Sequence, residues 1–586
     1  MQSQKIRNVA IIAHVDHGKT TLVDGLLRQS GTFSAHAAAV ERVMDNMDLE
    51  KERGITIAAK NCSLMYKDYK INLVDTPGHS DFGGEVERSL MMVDGAVLLV
   101  DASEGPLPQT RFVLQKALQR NISMILMINK VDRADARISE VEDMVSDLFL
   151  EFSADSSQLD FPILYASGRD GWCSRSSTEK GGTLEPLFEI ITEHIPPPPV
   201  KPEGEGKFLI NNLSYNSYLG RLAIGRIEEG TFRKNQPAVI IKENQINPVK
   251  IINLRCYQGL AQQEVEELSA GDIAIIACGT EDLTIGDTIG ESATTQPLPR
   301  IVVDPPTVTV EVSVNTSPLS GKEGKYFTSR NLHDFLIKEG QHNVSLRIGE
   351  TEQPEIFALS ARGELQIAIV IENLRRLGGE CMVGRPRVIL QDGQEPIERV
   401  VLDIPEGAVG VVTEKLSLRK GKMTSMEPFS SGRMRLEFRI PTRGLLGYRS
   451  AFMTDTKGEG LMSSYFECFE AYHGDFPTRI NGALISDRTG NTTIYALGTL
   501  EERGKLFIVP GEVVYEGMVI GEHNRENDLH VNTCREKKLT NMRSAGTDEN
   551  IKLTPIQKFT LERALDWIAD NEWIEVTPKS IRIRKK

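Results

Sequence analysis

The residues most capable of chemistry fall in short polar motifs, each directly after an apolar run. Ala13-His-Val-Asp-His-Gly-Lys-Thr20 follows such a run and precedes a helix-like stretch, the setting of a phosphate-binding loop. In that reading the backbone N–H groups of Asp16, His17, Gly18, Lys19, Thr20 and Thr21 cradle phosphates. Lys19 reaches the β and γ phosphates, and the Thr20 hydroxyl binds magnesium. Ala13 stands where a first glycine is usual. Leu73-Val-Asp-Thr-Pro-Gly-His79 places Asp75 at the end of a strand, where open parallel sheets bind ligands, so Asp75 is a second magnesium residue. The Gly78 amide can meet the γ-phosphate, which lets a switch segment sense it.

Asn129-Lys-Val-Asp132 ends another apolar run. A carboxylate at Asp132 can accept both guanine N1–H and the 2-amino group, a donor pair that adenine lacks. Asn129 braces this contact, Lys130 covers the base, and Ser167-Gly168 supplies a further base contact. In Arg53-Gly-Ile-Thr-Ile57, Thr56 offers the second magnesium hydroxyl and folds over the γ-phosphate. Hydrolysis then needs a group that sets water in line with the γ-phosphate, and His79 is the candidate. Val15 and Ile55 flank its path as an apolar gate, so a partner must drive His79 inward. The reaction read from these motifs is magnesium-dependent hydrolysis of GTP to GDP and phosphate.

These motifs need a parallel sheet with helices on its faces, and residues 1–200 have the required alternation. Strand candidates are 8–13, 71–75, 95–100, 122–129 and 163–167. Ile195-Pro196-Pro197-Pro198-Pro199-Val200 then forms a stiff linker. Short strands with Gly turns over 203–302 fit a small antiparallel β-barrel. Residues 303–393 and 394–480 each read β-α-β-β-α-β, two ferredoxin-like domains. Residues 481–586 read as mainly strand, with one helix starting at Thr554-Pro555 and closed by Gln557 as a capping box. The expected architecture is therefore a P-loop α/β domain, a β-barrel, two α+β domains and a mainly-β C-terminal domain.

The chain has 586 residues, too many for one core. No apolar run approaches the ~20 residues of a membrane span. The apolar strand begins so near Met1 that no signal or transit peptide is expected, and the seven cysteines are scattered without a CxxC pair. These features point to a cytoplasmic protein. A net charge of −14 argues against nucleic-acid binding by the whole surface, but residues 531–586 hold 12 Lys+Arg against 8 Asp+Glu. A basic end on an acidic body is compatible with RNA contact there, although charge alone favours a solvated surface.

The four motifs together resemble the translational GTPases. Leu359-Ser-Ala-Arg-Gly-Glu-Leu365, with the barrel and the two ferredoxin-like domains, is similar to the body of elongation factor G and LepA. Arg443-Gly-Leu-Leu-Gly-Tyr-Arg449, Thr456-Lys-Gly-Glu-Gly460 and Arg535-Glu-Lys-Lys538 look like the TypA/BipA family over essentially the whole chain. The resemblance implies a ribosome-stimulated GTPase, monomeric, that acts at the factor-binding site, with ribosomal RNA pressing His79 towards the γ-phosphate. It implies roles in large-subunit assembly and stress growth. It also implies a C-terminal domain reaching towards the tRNA acceptor end, for which Lys537, Lys538 and Arg543 are the candidates by position. Two alternatives stand beside it: a LepA-like factor, and a GTP-gated regulator whose main target is not the ribosome.

Overall fold

A computed structural model describes the chain except residues 1–4, 15, 32–47, 54–55, 58, 78–81, 154, 217, 302–304, 326–327, 344, 431, 477–478, 480, 537–552 and 557. It divides into two compact units, Met1–Asp304 and Pro305–Lys586.

The first unit opens with β1 (Ile6–Ala13), α1 (Lys19–Gln29) and α2 (Asp48–Arg53). Then come β2 (Lys60–Tyr66), β3 (Tyr69–Asp75), α3 (Gly83–Leu90), β4 (Gly95–Asp101) and α4 (Pro108–Gln119). β5 (Ser123–Asn129), α5 (Ile138–Phe152), β6 (Ile163–Ser167), β7 (Trp172–Ser174) and α6 (Glu185–His194) complete this part. The strands form one sheet in the order β2-β3-β1-β4-β5-β6-β7. The inner pairs are parallel, while β2 and β7 close the edges antiparallel. Both β1 and β4 are buried along their whole length because helices cover both faces, which is why they read as unbroken apolar runs. Alternation then assigns the layers. Val9, Ile11 and Ala13 pack with Leu22, Leu26 and Phe188 of α1 and α6. Ala10 and Ile12 pack with Leu90, Leu114 and Phe149 of α3, α4 and α5.

A nine-stranded sheet between Lys207 and Gly290 follows, every pair antiparallel, with Thr231–Arg233 and Glu267–Ser269 paired apart from it. The edge strands Ile246–Lys250 and Ala261–Glu264 do not pair with each other, so the sheet is an open half-barrel. Strand Gly220–Glu229 serves two cores: Ala223 and Ile227 face the half-barrel interior, while Leu222 and Ile224 join the core beneath the parallel sheet.

In the second unit, strands and helices from Val308–Val314 to Cys381–Val383 make the first ferredoxin-like domain. Its strand order places Ile356–Ala361 between Arg347–Glu350 and Val308–Val314, with Cys381–Val383 last. The second repeats this order with Lys422–Ser430, Arg433–Pro441, Gln394–Pro405 and Leu461–Ala471. Beyond them most strands join an existing sheet, apart from the short pair Gly490–Asn491 and Val513–Val514. Glu572–Val576 pairs antiparallel with Cys381–Val383, and Ile581–Lys585, Met518–His523 and Ala483–Ser486 extend the same sheet.

Among the described residues this stretch carries two short helices, Ile494–Leu500 and Leu561–Trp567, where the sequence suggested one. The second begins later than the sequence signal at Thr554. Thr554 instead gives its N–H and hydroxyl to Glu501 Oε1, at 2.7 and 2.5 Å, and Thr560 becomes the cap, accepting from Arg563 N–H at 3.3 Å. Thr554 is thus bound to an acceptor from another element, while Gln557, the other half of the expected capping box, lies outside the described residues. Among the described residues no helix is long and apolar enough to cross a membrane.

Leu561, Leu565 and Ile568 share one core with Ile367, Val370 and Leu374 of the first ferredoxin-like domain. Leu565→Ala is therefore expected to cost about 2–5 kcal/mol. It should shift the unfolding of both segments together in hydrogen exchange; loss of protection confined to residues 553–586 would contradict a shared core.

Candidate active site

The carboxyl ends of β1, β3, β4, β5 and β6 lie along one edge of the parallel sheet, and the loops leaving them build the site. After β1 the chain turns through two left-handed residues, Asp16 at φ 65° and Gly18 at φ 96°, before α1 begins at Lys19. Gly18 is obligatory on two counts. Its φ disfavours side chains, and a Cβ there would lie 2.4 Å from Asn129 Nδ2. The Gly18 carbonyl accepts from Leu22 N–H at 3.0 Å, so the turn runs straight into the helix. Thr20 is partly buried and Thr21 exposed in its first turn.

Lys19 is almost fully buried. Its ammonium lies 3.0 Å from Asp75 Oδ1 and donates to the Thr76 carbonyl. Asp75 is the last residue of β3 and is itself only 1% exposed. Thr76 holds the neighbouring strand end through its hydroxyl, 2.8 Å from the Ile11 carbonyl. The structure thus brings Lys19 and Asp75 together.

Asn129, at the end of β5, joins two other loops. Its Nδ2 donates to the His17 carbonyl at 2.8 Å, and its Oδ1 accepts from Gly168 N–H at 2.8 Å. Its own carbonyl accepts from Ala102 N–H at 2.8 Å. Ser167 is buried, and its hydroxyl accepts from Asp170 N–H at 3.4 Å. Asp132 stands partly exposed at the surface of this cluster, 3.2 Å from Arg169 Nη2. Lys130, left-handed at φ 62°, extends its ammonium to within 2.7 Å of Asp101 Oδ2.

His17 departs from the simplest phosphate-loop picture, because its ring is fully buried. Nδ1 lies 3.3 Å from Asp101 N and 3.4 Å from the Leu99 carbonyl, and Nε2 lies 3.4 Å from Glu104 Oε2. Only its backbone is turned to the loop interior, where its carbonyl meets Asn129. Thr56 is buried on the segment leading into β2, four residues before Lys60, whose cross-strand partner is Asp75. That segment is anchored by Glu50, which accepts from Ile57 N–H at 3.0 Å and pairs with Lys60. Val15, Ile55, Gly78 and His79 lie outside the described residues, as do Lys537, Lys538 and Arg543.

Sequence reasoning passed over Asp101 and Glu104, at and just after the end of β4. The signal was available, since Asp101 ends an apolar strand just as Asp75 does. Asp101 is fully buried. Burial alone would raise its carboxyl, but hydrogen bonds from Lys130 and Ser103, with the Lys130 charge, outweigh burial and hold it at about 2. Glu104 is held below the usual carboxylate range, chiefly by its hydrogen bond with His17.

Comparison with known proteins adds four family matches along the chain. Residues 4–197 match the elongation factor Tu GTP binding domain, and 207–292 match elongation factor G domain 2. Residues 393–480 match the elongation factor G C-terminus, and 481–586 match the TypA/BipA C-terminal domain. Proteins described as large ribosomal subunit assembly factor BipA are similar throughout. That of Haemophilus influenzae is 51% identical over 590 residues, covering 100% of this chain and 96% of that protein. That of Escherichia coli K12 is 50% identical over 589 residues, 100% and 97%. That of Synechocystis is 49% identical over 588 residues, 100% and 98%. A solved protein of Thermus thermophilus shares the fold, with a TM-score of 0.54 and 16% identity over 80% of this chain and 98% of its own.

The depressed Asp101 carboxyl sets a pH dependence. Its folded value of about 2 lies below the unfolded ~3.9, so the stability it contributes is whole above about pH 4 and is lost as pH falls through about 2. The stability gap between wild type and Asp101→Asn, from urea denaturation, should be constant from neutral pH to about pH 4.5 and narrow below that. A gap that widens on acidification would contradict the ion-paired carboxylate.

Proposed function

The chain belongs to the TypA/BipA family of translational GTPases, and from that premise we propose that it hydrolyses GTP on the ribosome, acting on the large subunit as its relatives' names describe. The observation that carries this reading is the Asn129 amide, which ties the loop after β1 to the loop after β6 at 2.8 Å on both sides. One side chain thereby sets the distance between a phosphate loop and a base loop.

In this reading the N–H groups of Asp16 to Thr21 and the positive end of α1 bind the phosphates, and Lys19 exchanges Asp75 for the β and γ oxygens. Asp132 gives up its surface contact with Arg169, a pair worth little in water, to accept guanine N1–H and the 2-amino group. Lys130 covers the base, and Ser167 and Gly168 make the second base contact.

The residues fit magnesium. Thr20, Thr56 and Asp75 are oxygen donors suited to a hard cation, and Asp75 already balances a cation, Lys19, while almost wholly buried. Magnesium, when bound, neutralises charge on the β and γ oxygens. Gly78 donates its amide to the γ-phosphate. His79 orients the attacking water after passing Val15 and Ile55, driven inward by ribosomal RNA. Lys537, Lys538 and Arg543 carry the contact with ribosomal RNA or a tRNA acceptor end. The protein works as a monomer in the cytoplasm.

GTP turnover by the purified protein, with and without ribosomes and with ATP as control, tests this. Turnover should be slow alone and rise by orders of magnitude with ribosomes, and His79→Ala should remove the rise while leaving GTP binding intact. Indifference to ribosomes would discard the ribosomal reading, and stimulation that survives in His79→Ala would discard the role of His79. Asp132→Asn should shift preference from GTP to xanthosine triphosphate; undiminished GTP affinity in that variant would overturn the base assignment.

A further inference from the structure

Five residues at the end of β4 and just beyond, Asp101 to Gly105, touch both ends of the candidate site. Gly105, at φ 74°, closes the loop by donating its N–H to the Asp101 carbonyl at 2.9 Å. Arg137 fastens it from outside, Nε to the Ser103 carbonyl at 2.8 Å and N–H to the Ala102 carbonyl at 2.9 Å. Within this frame the two oxygens of Asp101 have separate tasks. Oδ1 accepts from Ser103 N–H and Oγ, both at 2.7 Å, and from Glu104 N–H at 3.3 Å. Oδ2 is directed to Lys130 Nζ at 2.7 Å. The same loop grips the His17 ring at both nitrogens, through Asp101 N–H on Nδ1 and Glu104 on Nε2. Meanwhile Asn129, next to Lys130, holds the His17 carbonyl. A closed circuit results: Lys130, Asp101, Glu104, His17, Asn129.

We propose that Asp101 and Glu104 are positioning residues for the nucleotide, fixing the base-side Lys130 and the phosphate-side His17 from one rigid loop so that base and phosphate contacts are set together. This rests on the GTPase reading above. Neither residue touches nucleotide; each acts through a neighbour. A lysine has a long flexible stem, and holding its ammonium on a fully buried carboxylate removes rotamer freedom before the base arrives. The His17 ring, held at two points, keeps the backbone of the phosphate loop from rotating about the Gly18 turn.

The test is release of a fluorescent GDP from the full-length chain, with wild type, Asp101→Asn, Glu104→Gln and the double variant. Hydrogen bonds to charged groups of this kind correspond to rate changes of about ten- to hundredfold, so each single variant should speed release by about tenfold or more. Because both act through one loop, the double variant should fall short of the product of the two singles. Glu104→Gln, whose side chain is 39% exposed, should lower the nucleotide-free unfolding midpoint less than Leu565→Ala does while speeding release more, which separates positioning from general loosening. Leu565→Ala, in the other unit, should destabilise the chain without changing release. Release within twofold of wild type in both single variants, or multiplicative effects in the double, would overturn the proposal. Wild type that fails to bind the labelled GDP would instead bring down the GTPase reading, and this proposal with it.

Discussion

The Asn129 amide is the contact on which the site's geometry depends. A parallel sheet delivers all its carboxyl ends to one edge, but it does not connect the loops that leave them, because no backbone ladder runs between loops. Asn129 supplies the missing connection with one donor and one acceptor, each at 2.8 Å and each aimed at a different loop. The constraint then propagates. Asn129 occupies the space where residue 18 would carry a Cβ, so the loop must have glycine there, and glycine supplies the left-handed turn that starts α1 at Lys19. Two residues more than a hundred positions apart in sequence thus determine one another, and the placement of Lys19 against Asp75 follows from them.

The strands bordering this site are also fastened to the half-barrel. Asp272 receives Lys70 at 2.6 Å and Asn72 at 3.0 Å, both from β3, the strand that ends in Asp75. Ser63 of β2 gives its N–H to the Gly259 carbonyl at 3.0 Å and its hydroxyl to the Tyr257 carbonyl at 2.5 Å. Arg226 bridges to Asp94 at 2.8 Å, just before β4. α3, which follows the segment after Asp75, is buried on every side, and its Arg88 carbonyl accepts from Asn211 at 3.4 Å. These are directional bonds in a desolvated seam, costly to break singly because each leaves a buried polar group unmet. Motion of β2, β3 or α3 relative to the half-barrel therefore meets an energetic barrier.

Much of this was legible in the sequence because it depends on local pattern. The five strand candidates of the first unit correspond to β1, β3, β4, β5 and β6, since both-faced burial writes itself as an apolar run. The two β-α-β-β-α-β rounds were legible through alternation instead, as in Ile356–Ala361 and Arg433–Pro441, where buried residues recur at every second position. What escaped was long-range pairing and competition. Nothing near Thr554 reveals that Glu501 will take its N–H and hydroxyl, and the helix begins at Leu561, capped by Thr560. The inward turn of the His17 ring is set by Asp101, 84 residues away, and by Glu104 just beyond it, and a motif read as a string has no means of showing it. The edges β2 and β7, antiparallel on a parallel sheet, likewise depend on partners that periodicity does not name.

The junction of Glu572–Val576 with Cys381–Val383 carries the same lesson into the second unit. Left uncovered, Cys381–Val383 would be an exposed sheet edge, and any apolar strand could pair with it in several registers. Apolar packing of Val383 against Ile574 does not choose among registers that differ by two residues. Buried charge does. Glu575 is fully buried and receives Ser317 Oγ at 2.6 Å, Tyr515 Oη at 2.7 Å and Arg582 Nη1 at 3.3 Å. Glu380, one residue before the edge strand, is 1% exposed and accepts from Asn315 Nδ2 and Gly321 N–H at 2.9 Å and Gly324 N–H at 2.6 Å. Glu380 keeps these donors in any register, because all three lie on its own domain, but a slip of two residues would carry Glu575 away from Ser317, leaving a buried carboxylate less well met at a cost of roughly several kcal/mol. Glu575 therefore selects the register that the apolar residues only permit, and the last strands of the chain join the ferredoxin-like sheet in one alignment.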